Sequence, residues 1–193
     1  MRANSSASGA AAPNRAVFLD RDGVINAAIV RDGKPYPPHD VGAFQLLPGV
    51  HEACSQLRQS GFRLIVATNQ PDVGRGDLAR EAVEEMHRIM CQRLPIDRVE
   101  VCYDAGGADS SEFRKPKPGM LLRAARELDI DLTRSYMVGD RWRDIDCGHA
   151  AGCTTIFIDK GYAESLSEQP DFRAPDLPGA ARLILLSEGQ NQL

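Results

Sequence analysis

The sequence predicts an α/β fold: a Rossmann-like parallel sheet sandwiched by helices, with no separate cap domain and a small β-hairpin flap after the first strand. Three observations carry that expectation. Short apolar runs of strand character alternate with longer stretches of helical period. Acidic, hydroxyl or amide residues stand just past several of the apolar runs. An Asp32-Gly33 pair, the commonest short hairpin signal, breaks the alternation soon after the first run.

In chain order, residues 16–19 form the first expected strand, ending in "LDRDG". The segment 27–38 around Asp32-Gly33 reads as a hairpin overhanging that strand end. A helix over 50–60, with Gly61 placed for a C-cap, leads to a strand over 64–67. A helix over 80–93, a strand over 98–102, a helix over 119–128 and a strand over 135–138 follow. A helix over 144–151, closed by Gly152, precedes the strand over 154–158. The segment "APDLPGAARLILL" reads as a turn and a short amphipathic helix that closes the sheet. Residues 1–14 are expected to form a disordered tail, 15–187 a single domain and 188–193 a frayed end. "MRANSSASGAAAPN" lacks the long apolar centre of a secretory signal.

With 193 residues, 42% hydrophobic and 26% charged, the chain suits one domain with a sizeable core. A net charge of -4 argues against binding a nucleic-acid backbone. No apolar run approaches the roughly 18 residues of a membrane helix, so no membrane partner is expected. The five cysteines form no CxxC pair and read as reduced, which favours a cytoplasmic location, and Cys147 and Cys153 read as packing residues. The chain is expected to act as a monomer on a small molecule.

Side chains at i and i+2 of an extended segment face the same side, so Asp20 and Asp22 would repel each other without a cation between them. Alone, the pair is equally compatible with a solvated turn. The other strand ends tip the balance: "LIVATNQ" delivers Thr68 and Asn69, and "YMVGDRWRD" delivers Asp140 and then Asp144. In an open parallel sheet these ends line one crevice, where ligands bind. Two aspartates, a hydroxyl, an amide, a lysine and a further acid pair suit metal-assisted phosphoryl transfer. Mg²⁺ favours carboxylate oxygens, which Asp20 and Asp140 offer together with the Asp22 carbonyl. Asp20 can then attack phosphorus, Asp22 can exchange protons with the leaving oxygen and the water, and Lys115 can stabilise the developing charge.

The motifs "DRDGVIN", "TNQ", "RKPKPG" and "VGDRWRD", in that order, resemble the four motifs of the haloacid dehalogenase-type phosphatases over about residues 16–187. Within them the combination looks like the small, lidless heptose bisphosphate phosphatases and their histidinol-phosphate phosphatase relatives. The resemblance implies a phosphoric monoester hydrolase acting through an aspartyl phosphate. Asp20 is implied as nucleophile, Asp22 as acid and base, and Asp20, Asp22 and Asp140 as the Mg²⁺ ligands. Thr68, Asn69, Gln70, Arg114, Lys115 and Arg141 are implied as phosphate or substrate contacts. The leading substrate is D-glycero-D-manno-heptose 1,7-bisphosphate, losing its 7-phosphate in heptose and nucleotide-sugar assembly for lipopolysaccharide. Histidinol phosphate or another sugar phosphate is the alternative. A receiver-like signalling module is disfavoured because its phosphoacceptor would end a middle strand, and a non-catalytic binder because every residue the chemistry needs is present.

The departure from the family lies before "RKPKPG". Relatives carry a C-x-H and then a C-x-C zinc set, whereas this chain keeps only Cys102, with Asp104, Ser111 and Phe113 at the other positions. No zinc is therefore expected, and the loop must be held another way, for instance by packing Phe113. Asp144 is either a helix N-terminal acid or a support for the metal ligands. Trp142 either covers the pocket or fills core space. Arg75 and Arg141 are either solvated or contacts for a second phosphate. His51, His87 and His149 are read as helix residues without chemical work.

Overall fold

A computed structural model describes residues 13–190. The expected N-terminal tail lies, apart from its last two residues, outside the described residues, as do 191–193. Six strands form one parallel sheet: β1 (Arg15–Leu19), β4 (Phe62–Asn69), β5 (Arg98–Cys102), β6 (Tyr136–Gly139), β7 (Thr154–Ile158) and β8 (Phe172–Ala174). Their order across the sheet is β5-β4-β1-β6-β7-β8. The chain thus reverses direction of winding at β1, and the crevice opens between the carboxyl ends of β1, β4 and β6.

Both faces of the sheet are covered, which is why its strands read as continuous apolar runs rather than alternating ones. Along β1, Val17 and Leu19 enter one core cluster while Ala16 and Phe18 enter the other. The first cluster takes Val50, Ala53, Cys54 and Leu57 from α1 (Val50–Gln59) and Val66 from β4. Met86 and Met90 of α3 (Arg80–Arg93) and the helix α6 (Leu177–Gln190) complete that layer. The second takes Met120, Leu121 and Ala124 from α4 (Gly119–Leu128) and Cys147 from α5 (Trp142–Ala151). A short helix α2 (Pro71–Arg75) follows β4. The apolar spacing at i, i+3, i+4 and i+7 in α1 places one stripe on the sheet.

The hairpin forms where Asp32-Gly33 placed it. Strands β2 (Ile29–Arg31) and β3 (Lys34–Tyr36) pair antiparallel with Arg31 opposite Lys34, and the two turn residues have φ of 50° and 69°. Its tip is held by Ala163, whose N–H donates to the Gly33 carbonyl at 2.8 Å.

Several boundaries differ from the sequence reading. β8 and α2 were not anticipated, β4 is longer by two residues at each end, and α5 starts at Trp142 rather than 144. The last residue of the expected tail is ordered into the fold, since Asn14 bridges to Ile130. At the other end α6 runs to Gln190, past the expected domain end at 187, and Glu188 pairs with Arg15. Among the described residues no helix is long and apolar enough to cross a membrane.

Candidate active site

The end of β1 is tied to β6 by the Asp20 N–H donating to the Val138 carbonyl at 2.9 Å. That bond sets Asp20 beside Asp140, which follows β6. Between Asp20 and the next helix the chain curls back, with Ile25 N and Asn26 N both donating to the Arg21 carbonyl. The curl needs Gly23: its φ is +90°, and a Cβ there would stand 1.8 Å from Asp140 Oδ2. Gly139 is equally constrained by space, since its Cβ would fall 2.1 Å from Asp144 Cβ.

Asp20, Asp140 and Asp144 each bring a carboxylate oxygen within 4.8 Å of the others, and all three are buried. Lys115 lies among them with its side chain 2% exposed. Its Nζ is 2.9 Å from Asp20 Oδ1 and 2.6 Å from Asp144 Oδ1, and it donates to the Ala67 carbonyl at 2.6 Å. The Arg21 N–H also donates to Asp20 Oδ1. Asp144 has its second oxygen engaged by the Arg141 N–H at 3.0 Å. Asp144 thus caps α5, as one of its sequence readings had it, and also anchors the lysine behind the carboxylate pair. Asp140 receives the Tyr162 hydroxyl on Oδ2 at 2.8 Å, while its Oδ1 is buried without a partner.

The electrostatics ask for a further cation. Burial lifts Asp20 to about 6, only partly opposed by Lys115, and neighbouring Asp144 and Asp22 add to the rise. Burial together with Asp20 and Asp144 pushes Asp140 well above the usual carboxylate range. Lys115 is driven upward by Asp144 and Asp20 despite the opposing effect of its burial. A single lysine thus leaves the three acids undercompensated. The orphaned Asp140 Oδ1 and the all-oxygen donor set fit a hard divalent ion such as Mg²⁺.

Asp22 is held from three directions. Gln70 Nε2 donates to Oδ2 at 2.7 Å, Asn26 Nδ2 to Oδ1 at 2.9 Å, and Arg21 Nη2 reaches both oxygens at 3.0 Å. Thr68, buried beside them, accepts from the same Gln70 amide at 2.9 Å. Asn69 spans the gap to the "RKPKPG" loop, accepting from Lys115 N and donating to the Lys115 carbonyl. The Asn69 amide and Gln70 Nε2, expected as substrate contacts, are engaged within the protein in this arrangement, while Gln70 Oε1 is buried without a partner.

Above this floor a cleft of about 250 Å³ opens. Its walls include Lys34 and Tyr36 of the hairpin, Arg75, Arg114, Arg141 and Arg143. The arginines differ in their prior engagements. Arg75 pairs with Asp72 and Asp77, Arg141 forks onto Glu164, and Arg114 donates to the Asp104 carbonyl. Arg143 stacks 4.5 Å from the Trp142 ring and, among the described residues, pairs with no carboxylate. Burial and the nearby Arg141 and Arg114 lower its pKa, as expected of an uncompensated cation. Trp142 lines a neighbouring cavity with Phe157 and Tyr162 instead of covering the phosphate cleft.

The loop at 103–113 is organised by Asp104. Its carboxylate accepts the N–H groups of Gly106 and Ser111, and Phe113 N donates to Ser111 Oγ at 3.2 Å. Arg123 stacks 4.3 Å over the Phe113 ring, so packing of Phe113 does contribute.

Four participants were missed in the sequence: Arg21, His87, Tyr162 and Arg143. A signal existed for His87, which sits on the apolar stripe of α3 with Val83, Met86 and Met90. Arg21 is wholly buried between the two aspartates, where an unpaired charge would be untenable. Tyr162 follows a turn with no pattern of its own.

Three carboxylates, a lysine and a hydroxyl thus meet at one edge of a parallel sheet, an arrangement suited to metal-assisted phosphoryl transfer of the haloacid dehalogenase type. Comparison with known proteins agrees. Residues 112–180 match the HAD-hydrolase-like family model. The chain is 35% identical to a D-glycero-D-manno-heptose-1,7-bisphosphate 7-phosphatase of Thermosynechococcus vestitus, over 89% of this chain and 96% of the relative. It is 38% identical to a D-glycero-beta-D-manno-heptose-1,7-bisphosphate 7-phosphatase of Yersinia pestis, over 72% and 77%. Among solved structures, the heptose bisphosphate phosphatase of B. bronchiseptica complexed with magnesium and phosphate matches with a TM-score of 0.76 at 29% identity, covering 90% of this chain and 99% of that one. The chain belongs to the D,D-heptose bisphosphate phosphatase family of the haloacid dehalogenase-type hydrolases, and is a phosphoric monoester hydrolase.

Proposed function

We propose that the chain removes the 7-phosphate of D-glycero-D-manno-heptose 1,7-bisphosphate, using Asp20 as nucleophile and Asp22 as acid and base. The observation that carries this reading is the division of the cleft into a fixed acid–lysine floor and a cationic wall beyond it. The wall offers anionic recognition remote from the reacting phosphate, as a bisphosphate requires. A histidinol ester, cationic at its far end, would meet the same arginines as repulsion.

An Asp20 carboxylate oxygen attacks phosphorus and the ester P–O bond breaks, while protonated Asp22 gives its proton to the departing sugar oxygen. Asp22, now a base, takes a proton from water as the water oxygen attacks the aspartyl phosphate. The P–O bond to Asp20 then breaks, releasing phosphate and the free carboxylate. Lys115 places its charge beside Asp20, where the equatorial oxygens carry negative charge. Thr68 offers its hydroxyl to the same oxygens. The Asp20 and Asp140 carboxylates with the Asp22 carbonyl would hold Mg²⁺, which neutralises carboxylate and phosphate charge and so permits their approach. Arg114 and Arg143 reach the distal phosphate. The loop at 103–113 works without zinc, and the enzyme acts as a cytoplasmic monomer on this small molecule alone.

The test is phosphate release from the 1,7-bisphosphate, histidinol phosphate and a panel of sugar monophosphates in Mg²⁺. The expected result is the highest kcat/KM for the bisphosphate with the 1-phosphate retained in the product. A preference for histidinol phosphate would overturn the assignment.

A further inference from the structure

Behind Asp22 lies a buried pair that the phosphoryl-transfer scheme does not use. Arg21 is wholly buried, and its guanidinium faces two ways. Nε and Nη2 hold Asp22, at 3.2 Å and 3.0 Å to Oδ1, while Nη1 points to His87 Nε2 at 3.1 Å. A guanidinium has donors only, so His87 Nε2 must present its lone pair and the ring proton must sit on Nδ1. That Nδ1–H makes no hydrogen bond, and the Glu84 carboxylate 3.7 Å away is the negative charge it faces. The imidazole is therefore neutral with a defined tautomer. Burial and the Arg21 charge act in the same direction by disfavouring the imidazolium.

We propose that His87 is a positioning residue: it fixes Arg21, and through Arg21 it aims the Asp22 carboxyl for proton transfer to the leaving oxygen. This rests on the reading of Asp22 as acid and base. Arg21 could turn about its long side chain if only Asp22 held it, because its fork would follow the carboxylate. With Nη1 anchored to α3, the fork is fixed from behind and Asp22 cannot rotate with it. Gln70 and Asn26 hold Asp22 from other sides, so losing His87 should misalign the carboxyl without freeing it.

A core-filling histidine and a positioning one make different predictions. A sugar alkoxide needs a proton to leave, whereas the phenolate of p-nitrophenyl phosphate does not. His87→Leu, which keeps apolar volume but removes the acceptor, should slow aspartyl-phosphate formation from the sugar phosphate, followed by rapid quench at saturating substrate, on the order of 10- to 100-fold. It should slow the same step with p-nitrophenyl phosphate much less, because nitrophenolate leaves without a proton. His87→Gln, whose side-chain oxygen can replace Nε2, should restore most of the loss. Equal losses on both substrates, no loss on either, or a glutamine variant as poor as the leucine variant would each overturn the proposal. Asp22→Asn serves as the control. If it slows phosphoenzyme formation equally from the two substrates, the acid reading of Asp22 itself falls and this inference with it. Should His87→Leu not fold, ¹⁵N NMR of the wild-type imidazole decides: the proton belongs on Nδ1, and an Nε2–H tautomer would overturn the proposal.

Discussion

The floor and the wall of the cleft are built on different principles. On the floor, Asp20 and Asp140 from the ends of β1 and β6, Asp144 from the first turn of α5 and Lys115 from the loop before α4 are buried, and Lys115 pairs with Asp20 and Asp144. On the wall, the hairpin, the loop at 103–113 and the arginines are half-buried or exposed, and most side chains already have an alternative partner. The proposed function thus places reaction chemistry where the sheet leaves little freedom. It places recognition where side chains must exchange one partner for another, so the strength of each contact should depend on what that side chain gives up.

The sharpest way to break this contrast is to remove charge from the floor. Asp20→Asn keeps shape and should abolish turnover while leaving the thermal unfolding transition in place, measured by circular dichroism. Asp22→Asn should cost on the order of 10² to 10⁴ in kcat. Near-wild-type activity in the Asp20 variant would mean that the floor is not where the phosphoryl group goes.

Removing the metal should have a similarly large effect. Treatment with EDTA should eliminate activity and Mg²⁺ alone should restore it, because Asp20 and Asp140 offer hard oxygen donors. The fold should survive chelation, since the 103–113 loop is held by Asp104, Ser111 and Phe113 rather than by a thiolate set. Stoichiometric zinc in protein purified without added metal, with unfolding on chelation, would contradict that.

On the wall the effects should be smaller and graded by prior engagement. Against a sugar bisphosphate, Arg143→Gln and Arg114→Ala should each lower kcat/KM by about 10- to 150-fold, the loss of one charge-assisted contact. Arg141→Ala should cost less, because its guanidinium is already forked onto Glu164. A sugar monophosphate should hardly register any of the three. Equal losses on both substrates would move these residues from the wall to the floor.

The smallest expected effect concerns stability. His87 is held near 4, below its ordinary 6.5, so between these values the unfolded chain binds more protons than the folded one. Stability from this group is therefore full above about 6.5 and declines as pH falls toward 4, by a few kcal/mol at most. Urea unfolding across that window should show a slope that His87→Gln flattens. An unchanged slope would mean that the histidine does not stay neutral in the fold.

The contrast also marks what could be read from the sequence. Asp20 and Asp140 of the floor were legible because each follows an apolar run, and the hairpin because Asp32-Gly33 has the φ > 0 preference its turn demands. β8 was not, since it has three residues of which Phe172 and Arg173 are exposed. Nor was α2, a five-residue helix beginning at a proline. The partners of Asn69, Gln70 and Arg141 were beyond reach for another reason. Asn69 pairs with Lys115, 46 positions away, and such a choice is made by packing rather than by local pattern. The stripe carrying His87 was visible, but only its contact with Arg21 gives it a role.

The central claim is that phosphoryl transfer passes through Asp20. It is tested most directly by acid-quenching the Mg²⁺-loaded enzyme during turnover of the 1,7-bisphosphate and locating any phosphoryl group by mass spectrometry. The account predicts a phosphorylated peptide carrying the modification on Asp20, lost on longer incubation as inorganic phosphate appears. Phosphorylation at another residue would contradict it, as would trapped phosphoenzyme of equal amount in Asp20→Asn.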